Sequence, residues 1–260
     1  MYKKFYNYLK FLILNFFYIL YPCKKNFIFS IRLSIVFLIH EIYFSIFKKK
    51  FLKYEIDYRS YIKKNLSFYK EQDWFSHNIC RWYQIFLKDL IKKKINILEI
   101  GSYEGNSSVF FLKTITECKI TCVDSFSSHN ELQEKSDFNA VYSNFLSNTS
   151  LFGKRVTHYK MKSFEYFNLL KKKEKYHKDN KFDLIYIDGS HYYQDIINDA
   201  NSAKNFLNKD GLLIFDDFLW KYFPKIKDNP VCAIKEFIKK NTHDFKILSL
   251  GYQVILKKII

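Results

Sequence analysis

Three aspartates and one histidine follow two short apolar segments of the chain: Asp188, His191, Asp216 and Asp217. The apolar segments cover residues 182–187 and 211–215. A histidine can take up a proton near neutral pH, and carboxylate oxygens are the ligands that Mg²⁺ prefers. If the two segments lie side by side, three carboxylates will be grouped around one histidine. A simpler interpretation, in which these side chains only cap the elements that follow, stays open at this point.

Both apolar segments have the composition of buried parallel strands, which are covered on both faces. A similar segment, residues 95–100, leads into a turn at residues 101–108 that contains Gly101 and Gly105. A strand, a glycine turn and a helix N-terminus together present backbone NH groups to a ligand. The next strand ends at Asp124, about twenty residues downstream, where nucleoside-binding α/β folds place a carboxylate that accepts from ribose hydroxyls.

Strand-like and helix-like segments alternate along the rest of the chain. We expect seven strands, at residues 95–100, 119–124, 155–160, 182–188, 211–217, 245–250 and 252–257. Helices are expected at residues 82–90, 131–146, 163–170, 192–207 and 231–239. The repeated units predict an α/β fold with a doubly wound, mostly parallel seven-stranded sheet. Gly251, between the last two strands, predicts an antiparallel C-terminal hairpin.

Four motifs of this region resemble those of class I S-adenosylmethionine-dependent methyltransferases: residues 98–107, 123–124, 186–191 and 210–217. More narrowly, they resemble the metal-dependent O-methyltransferases that act on sugars, antibiotics and other small molecules. The resemblance extends from about residue 73 to the C-terminus and implies a Rossmann-like methyltransferase fold. The turn at residues 101–108 is called here the first loop. Tyr103 stands where the family usually has the middle glycine of this loop.

The resemblance implies a role for each motif. The residues that would bind S-adenosylmethionine are Glu99, Gly101, Ser102, Tyr103, Gly105, Asp124, Ser163 and Asp188. In this set the loop residues would surround the methionine part of the cofactor. Asp124 would bind the ribose hydroxyls, and Ser163 would contact the adenine. The carboxylates that would coordinate Mg²⁺, or another divalent cation, are Asp188, Asp216 and Asp217. His191 follows the first of them by three positions, where related enzymes carry a basic residue, and would be the general base.

The sequence accordingly predicts an S-adenosylmethionine-dependent O-methyltransferase. Methyl transfer to an alcohol requires that the oxygen loses its proton and lies in line with the methyl carbon. A bound Mg²⁺ would lower the pKa of that hydroxyl. The expected acceptor is a hydroxyl of a small molecule or glycan. Two alternatives stay open: a nucleoside-binding scaffold with a degenerate acceptor site, and an adaptor that works at a membrane surface.

The N-terminal part differs in composition from the rest of the chain. We divide the chain into an apolar helical segment, a helical connector with a cap, and the S-adenosylmethionine-binding domain: residues 1–50, 51–94 and 95–260. Residues 27–47 predict a helix with a narrow polar face, in which Arg32 and Glu41 count against a transmembrane span. Three interpretations compete: peripheral contact with a membrane surface, packing on the main domain or on a second subunit of a homo-oligomer, and a spanning segment.

The formal net charge of +17 does not by itself indicate a nucleic-acid partner. The excess is mainly lysine, and no basic helix or base-stacking module stands out, so we expect no such partner. The five cysteines are few and scattered. This favours a reducing compartment over a disulfide framework, and we interpret Cys118 and Cys122 as small core residues. The expected location is cytoplasmic, including the inner face of the membrane.

Overall fold

The computed structural model describes residues 2–21, 27–69, 72–127, 137–174 and 181–260. Within these residues, seven strands form one sheet: β1 (Ile95–Ile100), β2 (Cys118–Asp124), β3 (Val156–Lys160), β4 (Phe182–Ile187), β5 (Leu207–Phe215), β6 (Phe245–Leu250) and β7 (Val254–Lys258). Their order across the sheet is β3-β2-β1-β4-β5-β7-β6. The pairs from β3 to β5 are parallel, whereas β7 runs antiparallel to both β5 and β6. The prediction of a mostly parallel sheet with an antiparallel C-terminal hairpin is confirmed.

Helices cover both faces of this sheet. In the described ranges they are α1 (Tyr2–Leu20), α2 (Phe27–Phe47), α3 (Leu52–Asn65), α4 (Ile79–Trp82), α5 (Lys88–Leu90), α6 (Asn106–Thr114), α7 (Phe138–Thr149), α8 (Ser163–Glu174), α9 (Tyr193–Phe206) and α10 (Pro230–Lys240). A π-helical turn at Tyr83–Leu87 joins α4 to α5. The alternation of strands and helices from β1 onward follows the predicted order.

Several predicted boundaries differ from the structure, and two of the differences have a clear physical cause. Helix α7 begins at Phe138, because the side chain of Asp137 accepts hydrogen bonds from two backbone NH groups of the first turn and caps the helix. Residues 131–136, which we also predicted to be helical, lie outside the described residues. Helix α8 extends to Glu174, four residues beyond its predicted end at residue 170, since lysine and glutamate are good helix formers. Residues 175–180 lie outside the described ranges.

The apolar core lies in two layers, one on each face of the sheet. The layer that contains α9 and α10 also contains buried side chains of the N-terminal helices: Leu12, Ile19, Leu33 and Phe37. Helices α1 and α2 pack on each other, and α2 packs on the edge strand β6. One face of the N-terminal segment therefore packs on the main domain, as one of the three interpretations predicts.

The cysteines are of two kinds. Cys80, Cys118 and Cys122 are free and buried, as expected for small core residues. Cys232 in α10 is disulfide-bonded, so the prediction of reduced cysteines is wrong for this residue. Pairing depends on which cysteines the fold brings together, and spacing along the chain does not reveal this. Cys23 lies outside the described residues.

A buried ion pair fastens α2 to the sheet. The guanidinium of Arg81 donates to the carboxylate of Glu41 in α2 and, at 3.0 Å, to Oγ of Ser249 in β6. The side chains of Arg81 and Glu41 are only 8% and 6% exposed. Burial raises the pKa of Glu41, and the nearby guanidinium opposes that rise. His40 makes a second hydrogen bond between α2 and β6, because its Nδ1 accepts from the backbone NH of Leu250 at 3.0 Å.

Replacing Glu41 by alanine should lower the free energy of unfolding by about 3–5 kcal/mol, because Arg81 is left buried without its counter-ion. Urea unfolding measures this loss. The double variant Glu41→Leu, Arg81→Met removes both charges at similar volume and should remain close to the wild type. An equal loss in both variants would contradict the assignment of the effect to an unpaired charge.

Candidate functional site

The carboxyl ends of the central strands open into a cavity of about 720 Å³. Its position follows the general rule for open α/β sheets, in which ligands bind beyond these strand ends. Most of the predicted site residues line it: Gly101, Ser102, Tyr103, Asp124, Ser163, Asp188, His191, Asp216 and Asp217. Glu99 and Gly105 are not part of the lining. The structure thus brings together the proposed cofactor loop, the acidic residues and the histidine.

The first loop passes so close to the end of β4 that only glycine fits at its start. A Cβ on Gly101 would lie 1.9 Å from the backbone oxygen of Asp188, and its φ of 84° is in the left-handed region. Tyr103 adopts a φ of 45° in spite of its side chain, a strained conformation that is common at functional sites. The ring of Trp74 contacts that of Tyr103, with centroids 5.3 Å apart.

Asp124 holds the first loop in place from the end of β2. Its Oδ2 accepts from the backbone NH groups of Ser102 and Tyr103, each at 2.9 Å, and its Oδ1 accepts from that of Phe126 at 2.7 Å. A carboxylate has about four lone-pair positions, so acceptor capacity remains. The residue predicted to bind ribose hydroxyls therefore also orders the loop predicted to surround the methionine part.

Glu99 lies behind the loop and is fully buried. Its carboxylate accepts from the hydroxyl groups of Ser107 and Ser108 at the start of α6. Burial raises the pKa of Glu99, and these serine hydrogen bonds act in the opposite direction. Glu99 thus ties the start of α6 to β1, and its contact with a cofactor stays a prediction.

The start of α8 meets a buried carboxyl group from α9. Ser163 lines the cavity, and its hydroxyl is hydrogen-bonded to Asp199. Asp199 is only 4% exposed, and burial raises its pKa to about 7, while the hydrogen bond to Ser163 lowers it. Sequence analysis missed Asp199, because one acid in an amphipathic helix carries no distinguishing pattern.

Asp188 and Asp216 lie close together, partly buried, at the ends of β4 and β5. The phenol of Tyr186 lies within hydrogen-bonding distance of both carboxyl groups, 3.0 Å from Oδ2 of Asp188. Nε2 of Gln253 donates to Asp216 at 2.9 Å, and the indole NH of Trp82 donates to Oε1 of Gln253 at 2.7 Å. Side-chain donors from β4 and from the C-terminal hairpin therefore satisfy oxygens of these two carboxyl groups.

Burial and mutual repulsion favour protonation of these carboxyl groups. Burial raises the pKa of Asp188 well above its ordinary value, and the charges of Asp216 and Asp217 raise it further. Burial, followed by the charge of Asp217, raises the pKa of Asp216 to about 7. A divalent cation would offset this repulsion, so the chemistry of the donor set suits Mg²⁺. Among the described residues, however, no group of three or more His, Cys, Asp or Glu is arranged to hold a metal ion.

His191 and Asp217 are in contact on the cavity wall. Nε2 of His191 lies 2.7 Å from Oδ2 of Asp217, and the indole of Trp220 stacks on the imidazole, with centroids 4.3 Å apart. Tyr252 is hydrogen-bonded to Asp217, and burial raises the pKa of its phenol. Asp217 has a φ of 55°, in the left-handed region that non-glycine residues rarely adopt. The histidine is therefore held at its edge by a carboxylate and on its face by an aromatic ring.

Sequence analysis missed three side chains that hydrogen-bond to the acidic residues: Tyr186, Tyr252 and Gln253. Tyr186 lies in β4, which we predicted to be a buried strand leading to Asp188. Tyr252 and Gln253 follow Gly251 in the C-terminal hairpin, where the sequence predicted the start of the last strand. The pairing of the last strand with β5 could have indicated these two residues, because it brings the hairpin turn beside Asp216.

Residues 98–218 match the family model described as a methyltransferase domain. This stretch includes the first loop, Asp124, His191 and the acidic residues. The chain is also 26% identical over 162 residues to uncharacterized protein R132 of Acanthamoeba polyphaga mimivirus. The aligned region covers 60% of this chain and 68% of that protein. The chain therefore contains a methyltransferase domain, and the prediction of a methyltransferase is confirmed.

Solved structures of methyltransferases share the fold. The O-methyltransferase from Bacillus cereus in complex with SAH has a TM-score of 0.51 at 14% identity, with 88% of this chain and 100% of that chain covered. The MycE methyltransferase from the mycinamycin biosynthetic pathway, in complex with Mg and SAH, has a TM-score of 0.51 at 13% identity. That match covers 73% of this chain and 51% of the other, so this chain spans about half of MycE. At these identities the likeness confirms the predicted Rossmann-like methyltransferase fold.

The raised pKa of Asp199 makes the stability of the protein depend on pH. Between its ordinary value of 3.8 and about 7, the folded chain binds a proton here that the unfolded chain has lost, so stability falls as pH rises through this window. Asp199→Asn removes that loss. The free energy of unfolding of the variant relative to the wild type should therefore rise by about 1.4 kcal/mol per pH unit across the window.

Urea unfolding at several pH values measures this difference. Ser163→Ala removes a hydrogen bond that stabilises the charged form, so in that variant the window should extend to higher pH. A difference between Asp199→Asn and the wild type that does not change with pH would show that the carboxyl group of Asp199 titrates equally in the folded and unfolded chains.

Proposed function

We propose that this S-adenosylmethionine-dependent methyltransferase transfers the methyl group to a hydroxyl oxygen of a small molecule or glycan, with His191 as the general base. Mg²⁺ would be held by Asp188, Asp216 and Asp217. The observation that carries the proposal is the contact of 2.7 Å between His191 and Asp217 on the wall of the cavity. The similar O-methyltransferase from Bacillus cereus was solved with SAH, and MycE with SAH and Mg, which supports the choice of cofactor, acceptor atom and cation.

His191 is suited to take the proton of the acceptor hydroxyl. The carboxylate of Asp217 orients the imidazole and would stabilise the imidazolium that forms. Trp220 covers one face of the ring, which limits its rotation and keeps water from that side. S-adenosylmethionine supplies an electrophilic methyl group bound to a positively charged sulfur. His191 removes the hydroxyl proton as the acceptor oxygen is methylated.

The residues around the first loop are suited to hold the cofactor. Gly101 allows the loop to contact the end of β4, so the loop and Asp188 form one continuous wall. Asp124 retains acceptor capacity for ribose hydroxyls beside the loop that it orders. Ser163 lines the same cavity, at the place proposed for the adenine.

Asp188, Asp216 and Asp217 would hold Mg²⁺ through hard oxygen ligands. The cation would act as a Lewis acid that lowers the pKa of the acceptor hydroxyl. The raised pKa values of Asp188 and Asp216 support this part of the proposal, because a nearby divalent charge would favour their ionised forms. A scaffold with a degenerate acceptor site is not favoured, since the base and its orienting carboxylate are both present and in contact.

His191→Ala should lower turnover about 10²–10⁴-fold, because proton removal loses its acceptor. Binding of S-adenosylmethionine should remain close to that of the wild type. Transfer of labelled methyl groups to a panel of sugars and phenols measures turnover, and calorimetry measures cofactor binding. His243→Ala removes an exposed histidine outside the cavity and should leave turnover unchanged. Full activity of His191→Ala would exclude this residue as the base.

Removal of divalent cations with a chelator should abolish turnover, and added Mg²⁺ should restore it. Calorimetric titration with Mg²⁺ provides a readout that does not depend on activity. Asp216→Asn should weaken Mg²⁺ binding by at least about tenfold, because a charged ligand is lost. Asp57→Asn, at an exposed position of α3, is the matched control. Turnover that persists in chelator, together with no measurable heat from Mg²⁺, would remove the cation from the proposal.

A further inference from the structure

Helices α1 and α2 form a hairpin with two unlike faces. One face is part of the protein core. The opposite face, called here the outer face, consists of large exposed apolar side chains: Phe5, Tyr6, Leu9, Ile13, Leu14, Phe17, Phe27, Ile28, Ile35, Ile39, Ile42, Tyr43 and Ile46. Soluble proteins rarely expose contiguous apolar patches larger than roughly a few hundred Å². An apolar surface of this extent indicates a binding partner.

The outer face follows the helical period on α2. Its isoleucines at positions 28, 35, 39, 42 and 46 lie three, four or seven positions apart, and such spacing places them along one side of a helix. Each of them is between 46% and 69% exposed. On the other side of the same helix, Leu33 and Phe37 are buried in the core. The isoleucine side of α2 therefore remains exposed to solvent after the helix has packed on the domain.

The exposed charges of the hairpin are positive. Lys10 on α1 and Arg32 on α2 are exposed, and α2 continues into Lys48, Lys49 and Lys50, of which the last two are exposed. The two helices contain a single acidic residue, and that residue is the buried partner of the ion pair described above. Apolar side chains beside lysines match an interface of acyl chains and anionic headgroups.

We propose that the outer face docks the protein on the surface of an anionic lipid bilayer, with α1 and α2 lying in the plane of the interface. By length and composition alone, one helix among the described residues, Phe27–Asn65, could cross a membrane. A crossing orientation would, however, withdraw Leu33 and Phe37 from the core and break the buried pair of Glu41 and Arg81. Docking in the plane keeps all of these contacts.

A second copy of the chain fits the outer face less well than a bilayer does. A symmetric pair would bring the same surface of each copy together, and with it the same positive side chains. Neither helix offers an exposed acid to pair with them. Anionic headgroups provide the missing negative charge and also accept the lysines at the end of α2.

Flotation of the 260-residue chain with lipid vesicles tests the proposal. The wild type should float with vesicles of phosphatidylcholine and phosphatidylserine, and less with phosphatidylcholine alone. Ile35→Glu with Ile39→Glu should lower the bound-to-free ratio by at least about tenfold, because two charges enter the apolar interface. Lys49→Gln with Lys50→Gln should lower binding to the anionic vesicles by about fivefold per lysine.

The matched control is Leu146→Glu with Leu151→Glu, which alters two exposed leucines on α7 and the turn after it, 40% and 82% exposed. This variant should float like the wild type. Light scattering and thermal unfolding, measured on every variant, confirm that each one is folded. Failure of the wild type to float, or equal flotation of the Ile35 and Ile39 variant, would overturn the proposal. A wild-type dimer that does not float and that this variant dissociates would assign the outer face to a second copy.

Discussion

The group of carboxyl groups at the ends of β4 and β5 is the constraint on which the site depends. Asp188 and Asp216 are partly buried there, and the charges of neighbouring acidic groups raise the pKa of both. Two neutral side chains donate hydrogen bonds to these carboxyl groups: Tyr186 from the sheet itself and Gln253 from the C-terminal hairpin. The antiparallel pairing of β7 with β5 is therefore a part of the site, because it places the donor beside the acid. Trp82 in turn orients Gln253, which connects the site to the connector helices.

The sheet could be predicted because its signals are local and repeated. Apolar strands that end in acid, with glycine turns between strand and helix, determine which side chains meet when parallel strands align. The proximity of His191 to Asp217 followed from that alignment. Glu99 was harder to place, because side chains alternate along a strand and its carboxylate binds Ser107 and Ser108 behind the loop. The partners of Asp216 depend on a turn that is distant in sequence.

The N-terminal hairpin shows a different limit of sequence analysis. A helix that is apolar on nearly all sides can be a core helix, an interfacial helix or a spanning helix, and composition does not distinguish them. The structure shows which face of the hairpin packs on the domain and which face stays exposed. The buried Arg81 could not be recognised in advance, since its counter-ion lies in α2, forty positions away. Cys232 is a similar case, because its pairing depends on the fold.

The end of α1 is joined to the catalytic half of the molecule by more than apolar packing. Lys235 of α10 is buried, donates to the backbone oxygens of Ile19 and Tyr21, and has its pKa lowered to about 8 by burial. The phenol of Tyr18 donates to the backbone oxygen of Trp220 at 3.1 Å. A shortened chain that begins after α1 would gain solubility, but its interior would contain an ammonium group without these acceptors, and the indole beside the histidine would lose its support. The minimal active unit of this enzyme therefore includes α1.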